Sequence, residues 1–413
     1  MIKFCYFEKL LPFVTAATPG GFRIFVLMLA GFFLAKDEAI FFSTEYTLAA
    51  FFVMVSGIGF STIIIKRMPE DNSLALFVRF AYSSLLAGGS IALVLLLIAS
   101  FLVPVTNSLP IFSLILTTSL YQVFRSYLVF NKSFWKLFVN DVLVAVFFVF
   151  MFLVFFLYNE NIQGKHVLNL LSASYLMAFA FMIAFIKSKE KVVTKTKRKA
   201  LISKEDTISS LIVGFSNATS SGVGFILPSL FVALGGSEIA IVASFAAAVF
   251  SSMSALPRGL INNKASALST MVKDKEYSRK LVLNLKIKIR KLLFFLVPLL
   301  SIFIFSYFYL GELINDYWLV FFFILIFAFN VATGQLGVIE SFLINFCGYE
   351  NLSFIINLMT FLIVMLVFVI ISRLPEPEEF WFILYLVPLA LGVFNIARMF
   401  LYKNMIKRYF RKP

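Results

Sequence analysis

The chain has 413 residues, 61% of them hydrophobic and 14% charged, with mean hydropathy +0.96, whereas a soluble domain is about half apolar and a quarter charged. That much apolar surface cannot be hidden in one water-soluble core, which excludes a soluble globular enzyme, a disordered chain and a secreted disulfide scaffold. The apolar runs are continuous rather than alternating, which excludes a transmembrane β-barrel.

A bilayer-spanning helix needs ~20 mostly apolar residues. Twelve such segments follow in chain order, at 10–34, 46–65, 80–103, 109–127, 139–158, 167–186, 208–233, 238–260, 292–311, 317–339, 353–372 and 379–402. The first is read as a span rather than a signal peptide, because it is long, contains Arg23 and lacks a small-residue cleavage site before Lys36. The expected fold is an all-α polytopic membrane protein of twelve transmembrane helices. Connectors and span ends on one side carry 32 of the 36 Lys and Arg residues, and the other side carries three. The positive-inside rule then places both termini in the cytoplasm. The net charge of +15 is therefore a signature of topology and of contact with anionic membrane lipids, not of nucleic-acid binding. Loops on the other side are about ten residues or shorter, too short to build an external active site.

The stretch 187–206, with KVVTKTKRKALISKED, is a basic cytoplasmic linker between two sets of six spans. The N-terminal lobe is 1–186 and the C-terminal lobe 207–413. Lobes with an even number of spans share one orientation. They form parallel repeats about a pseudo-twofold axis along the membrane normal, with a central cavity between them. Weak self-similarity agrees. Lys36-Asp37-Glu38 follows the first span as Gly236-Ser237-Glu238 follows the seventh, and Arg125-Ser126-Tyr127-Leu128 is matched by Glu340-Ser341-Phe342-Leu343.

Arg23 is the most informative residue. It lies twelve residues past the expected membrane entry near residue 11, ~18 Å deep and close to the midplane. A charge there needs water or a partner. It serves either as a cation in a central cavity or as half of an internal ion pair. Pro19, Gly20 and Gly21 just before it are expected to act as a hinge. Arg258, after Pro257, either joins Arg23 in an inward-facing cavity or snorkels to the interface. Arg125 either snorkels to the interface or, with Glu340 in the matching setting of the other lobe, forms part of a cytoplasmic gate. Asp141 either caps the fifth span or, like Glu340, takes part in ion coupling. The run Ser216-Asn217-Ala218-Thr219-Ser220-Ser221-Gly222 offers Ser216, Asn217 and Ser220 to a hydrated cavity or to close helix packing. Arg79, Arg398, Lys66 and Arg67 read as interfacial anchors. Two cysteines and one histidine, without an H-E-x-x-H, C-x-x-C or Walker sequence, imply no metal site, no cofactor and no catalytic residue.

With these features the chain resembles the Wzx-type O-antigen and oligosaccharide-repeat-unit flippases of the multidrug/oligosaccharidyl-lipid/polysaccharide exporter (MOP) superfamily. The local features that carry the likeness are Gly57-Ile58-Gly59 late in span two, Tyr127-Leu128-Val129-Phe130-Asn131-Lys132 leading into span five, and Pro257 late in span eight. The resemblance implies a V-shaped pair of lobes around a cationic cavity. It implies an undecaprenyl-pyrophosphate-linked oligosaccharide as substrate, flipped from the cytoplasmic to the periplasmic leaflet of the bacterial inner membrane. It further implies a functional arginine in the first span, matched by Arg23, and a basic position in span eight, matched by Arg258. A polymerase and glycosyltransferases of the same pathway are the partners to expect. The competing readings are a drug exporter of the same superfamily, disfavoured by a midplane cation, and a membrane O-antigen polymerase, disfavoured by the short external loops. A major-facilitator transporter is disfavoured by the loop Lys66-Arg67-Met68-Pro69-Glu70-Asp71.

Overall fold

In a computed structural model, the structure describes residues 2–411 apart from 69–70, 72, 160, 188–201, 263, 265–266, 269–270, 273, 312–313, 315 and 348; side chains are described from Leu11 onward, except at 185–187, 262, 345–346 and 350. Every regular element among the described residues is helical. All twelve expected segments form helices: α1 Ile2–Phe33, α2 Lys36–Arg67, α3 Leu74–Leu102, α4 Ser108–Phe130, α5 Phe134–Tyr158, α6 Gly164–Lys187, α7 in two parts (Lys204–Ser220 and Val223–Ala233), α8 Ser237–Asn262, α9 Arg279–Leu310, α10 Tyr317–Leu336, α11 Glu350–Ser372 and α12 Leu386–Arg411. By length and composition ten are able to cross a membrane, or eleven if the two parts of α7 are one span. The twelfth, α4, has 23 residues but is more polar, with Gln122, Arg125 and several Ser and Thr. Most of the basic connector, 188–201, lies outside the described residues.

Contacts between helices repeat from one lobe to the other. The pairs α1–α5, α2–α4 and α4–α6 have counterparts in α7–α11, α8–α10 and α10–α12. Across the lobes α1 packs on α8 and α2 on α7, which is the exchange that a pseudo-twofold axis requires. Inner and outer helices separate by burial: 78% of the apolar window of α2 and 67% of that of α8 are buried, against 17% for α9.

Small residues make the α2–α7 crossing. Gly59 faces Ser210 and Gly214 so closely that an added Cβ would lie 2.0 Å from the Ser210 carbonyl oxygen. Gly57 lies against Ser119 of α4, and Gly88 against Ser56. Ser56 and Ser119 hydrogen-bond through their hydroxyls at 2.6 Å. Both α2 and α3 contain a π-turn at this node, at Met54–Ile58 and Ser84–Gly88. The Gly57-Ile58-Gly59 sequence thus marks a packing node, where small residues let backbones approach.

Three expectations are corrected. First, α1 runs unbroken through Pro19, Gly20 and Gly21. Gly20 is instead a contact point, since a Cβ there would lie 2.1 Å from Ser252 Oγ of α8. The marked bend is in α7, 58° between its two parts. There Thr219, Ser220 and Ser221 donate to the carbonyls four residues earlier, and Gly222 follows. Such back-bonding competes with the helix ladder and bends it. Second, α2 begins at Lys36, ten residues before its expected start. Asp37 and Glu38 in its first turn suit the helix dipole. Glu45, a charged residue inside this stretch, is 1% exposed and fully employed. It accepts hydrogen bonds from the Thr106 and Asn107 backbone N–H groups at 2.7 and 2.9 Å, and from both side chains at 2.7 Å. Those donors stand at the N-terminus of α4. Third, α9 begins at Arg279, not at 292. Val282, Leu285, Ile289 and Leu293 are buried at helical spacing, and Lys288 and Lys291 lie exposed on the outer face.

Ion pairs join the lobes at both ends of α2. Lys36 meets Glu238 at the start of α8, and Arg67 meets Asp206 at the start of α7, each at 2.8 Å. Substituting Gly59→Val is expected to lower stability by about 1–3 kcal/mol through overpacking, read as melting temperature in detergent. Gly21→Ala, with nothing within 4 Å of the added Cβ, is expected to leave it unchanged or slightly raised. Equal melting temperatures for both variants would contradict the assigned crossing.

Candidate functional site

Between the lobes lies a cavity of about 950 Å³. Its walls come from α1, α2, α4 and α5 of one lobe and from α7, α8, α10, α11 and α12 of the other. It runs from Arg23 and Phe225, midway along their helices, to Lys132, Ser341 and Tyr402. Those last residues stand at or near the helix ends that carry the basic connectors, so the cavity extends toward the basic side.

Five cations line it: Arg23, Arg125, Lys132, Arg258 and Arg398. Among the described residues no Asp or Glu lines it. Arg23 places Nη1 3.5 Å from Ser251 Oγ, and its guanidinium carbon lies 4.9 Å from the centre of the Phe225 ring. These contacts span α1, α8 and α7, so Arg23 bridges the lobes without a carboxylate among the described residues. A cation–π contact of this kind contributes ~0.5–2 kcal/mol and leaves the charge unneutralised. Arg258 is exposed on the cavity wall, and no described side chain pairs with it. It therefore faces the cavity.

Arg125 is held differently. Its Nε and Nη2 lie 3.3 and 3.2 Å from the two carboxylate oxygens of Asp141, and Nη2 also donates to the Thr15 carbonyl. Tyr121 donates to the same carboxylate. Asp141 is buried two turns into α5, so it is not the cap of that helix. The expected gate is not formed, because Arg125 and Glu340 are not together. Glu340 is engaged by Lys286 of α9. The physical reason is the break at Gly337, which ends α10. A new short helix, Val338–Phe346, redirects the chain, and Glu340 packs toward α9 instead of the cavity.

The polar run of α7 does line the cavity, with Ser216, Asn217 and Ser220 all in its wall. Ser216 is tied into a network absent from the sequence reading. Arg398 donates to Asn357 Oδ1 at 2.6 Å and to Asn395 Oδ1 at 2.9 Å. Asn357 donates to Ser216 Oγ at 3.1 Å, and Asn395 to Asn330 Oδ1 at 3.0 Å. Arg398 is thus a cavity cation and not an interfacial anchor. The span was expected to end at 402, whereas α12 continues to Arg411, which sets Arg398 ~20 Å from the helix end. The available signal was the amides themselves, Asn330, Asn357 and Asn395, each inside an otherwise apolar span.

Truncating Arg125 to Ala leaves Asp141 buried without its cation and is expected to cost about 3–5 kcal/mol. The Asp141→Ala partner variant should restore part of that loss, with a coupling of roughly 0.5–3 kcal/mol in a double-mutant cycle of thermal stability. The same cycle for Arg125 and Glu340 is expected to give no coupling. Coupling in that second cycle would revive the gate.

No family model matches the chain, and no curated protein matches it in sequence. Solved structures do. A MOP-superfamily transporter from Pyrococcus furiosus, described by the reversed polarity of its binding pocket, aligns with TM-score 0.59 at 14% identity, over 97% of this chain and 98% of that one. The inward-facing form of a multidrug-resistance MATE-family transporter aligns with TM-score 0.58 at 13% identity, over 97% and 98%. The outward-facing form of a MATE-family transporter gives 0.55 at 13%, over 98% and 97%. The protein is a multi-pass membrane protein with the fold of the MOP-superfamily transporters.

Proposed function

We propose that the protein is a flippase. It moves an undecaprenyl-pyrophosphate-linked oligosaccharide, an O-antigen or similar repeat unit, from the cytoplasmic to the periplasmic leaflet of a bacterial inner membrane by alternating access. The observation that carries this reading is a cavity lined by five cations and by no carboxylate among the described residues. Such a site attracts an anion and repels a cation. Arginine suits a pyrophosphate because its planar fork donates two hydrogen bonds and stays charged. Arg23 and Arg258, which have no carboxylate partner among the described residues, are the phosphate ligands in this account. Ser216, Asn217, Ser220 and the amides of α10–α12 supply donors and acceptors for sugar hydroxyls.

The physical need for such a path is plain. Each unpaired polar group of a sugar costs several kcal/mol in hydrocarbon, so the head group requires a hydrated cleft while the polyprenyl tail stays in lipid. The Lys/Arg asymmetry makes the basic side cytoplasmic. The cavity then faces the leaflet where the lipid-linked unit is assembled, and no bond need be made or broken.

The second reading is a drug exporter, favoured by the multidrug MATE transporters among the structural neighbours. Likeness of fold does not choose the cargo. For the archaeal neighbour, pocket polarity is what suggests a different function, and pocket polarity is the deciding feature here.

The test is a deletion strain in which the leaflet holding the lipid-linked unit is determined. Units should be trapped on the cytoplasmic face and released by the wild-type gene. Arg23→Ala and Arg258→Ala should each slow release roughly tenfold or more, the loss of one charge-assisted phosphate contact. Units that reach the periplasmic face without the protein would overturn the proposal.

A further inference from the structure

A second, separate pocket of about 160 Å³ lies between α9, α10 and α12 on the basic side. None of its lining residues lines the central cavity. We propose that it binds the glycerophosphate headgroup of an anionic phospholipid. Its charged walls are Lys286 and Arg290 of α9, Glu340 after α10, and Lys403 of α12. Lys286 is spent on one oxygen of Glu340. The other oxygen, Oε2, has no hydrogen-bond partner among the described residues, so Arg290 and Lys403 do not neutralise it. Both are exposed, and neither has a carboxylate partner among the described residues. Two cations on adjacent helices therefore face one small pocket with their charge available.

The remaining wall is apolar. It includes Ile289, Leu336 and Phe400, and Phe400 is 54% exposed. A phosphate beside an apolar wall fits a lipid better than a free anion, because the acyl chains have a surface to lie on. Depth agrees. Beyond the pocket α9 reaches back to Arg279 and Lys280, and α12 runs on through Lys407, Arg408 and Arg411, the composition of a segment among anionic headgroups. Basic pockets between transmembrane helices on the cytoplasmic side bind such headgroups by this combination of charge and apolar contact. The α12 helix thus turns Arg398 toward the central cavity and Lys403 toward lipid.

The experiment uses the full chain in a neutral detergent, with binding read by native mass spectrometry. The probes are a short-chain phosphatidylglycerol, the phosphatidylcholine of the same chain length, and glycerol phosphate. Phosphatidylglycerol is expected to bind roughly tenfold tighter than either of the others. The double variant Arg290→Gln/Lys403→Gln should lose about tenfold in that affinity. The double variant Lys288→Gln/Lys291→Gln removes the same charge from exposed positions of α9 outside the pocket and should stay within about twofold, a screened surface effect. Equal losses in the two double variants would reduce the site to general surface charge and overturn it. So would no loss in either, or glycerol phosphate binding as tightly as the lipid.

Discussion

Positive charge inside the helical bundle without a matching acid is the constraint around which this structure is organised. A guanidinium inside a membrane protein must be answered by water, a carboxylate, an amide or a ring. The four cavity arginines take different answers. Arg125 has Asp141, and Arg398 has the side-chain oxygens of Asn357 and Asn395. Arg23 has a hydroxyl and the face of Phe225, and Arg258 has no described partner. The first is electrically closed, whereas the other three keep their net charge in the cavity. On the proposed function, an anionic ligand supplies what the protein withholds, and that deficit sets the selectivity.

The architecture holds this deficit between two lobes. Tight glycine contacts at the α2–α7 and α1–α8 crossings keep the lobes in register near the cavity. The inter-lobe pairs at the two ends of α2 are of another kind. Lys36 and Glu238 have side chains 57% and 37% exposed, and a pair so exposed contributes about 0–1 kcal/mol. Such a pair is readily broken. Its residues are the two that the self-similar segments bring to equivalent helix starts, one in each lobe.

Much of this was legible in the sequence. Hydropathy located all twelve helices, and the depth arithmetic put Arg23 near the midplane, where the structure finds it lining the cavity. The α7 hydroxyl run was open between cavity wall and helix packing, and Ser216, Asn217 and Ser220 line the cavity, while its role in bending the helix was not legible. What escaped has identifiable causes. Pro19 looked like a break because proline removes a hydrogen bond, yet packing on α8 carries α1 through it. The start of α2 was set ten residues late because the four hydrogen bonds that satisfy Glu45 come from a segment sixty residues away. Arg398 looked interfacial because the basic residues after it resemble a loop, whereas they are helical. Arg125 and Glu340 looked paired because their neighbours match. Sequence similarity gives equivalent positions in the two lobes, but the interruption at Gly337 decides which helix Glu340 meets.

The most direct test of the central claim is equilibrium binding to the purified wild-type protein. A short-chain polyprenyl pyrophosphate and an equally hydrophobic quaternary ammonium ion would be titrated separately and in competition, across a range of salt concentrations. The account predicts that the pyrophosphate lipid binds, that its affinity falls as salt rises, and that the ammonium ion neither binds the cavity nor displaces it. Saturable binding of the ammonium ion in competition with the lipid would contradict a cavity whose selectivity is set by uncompensated positive charge.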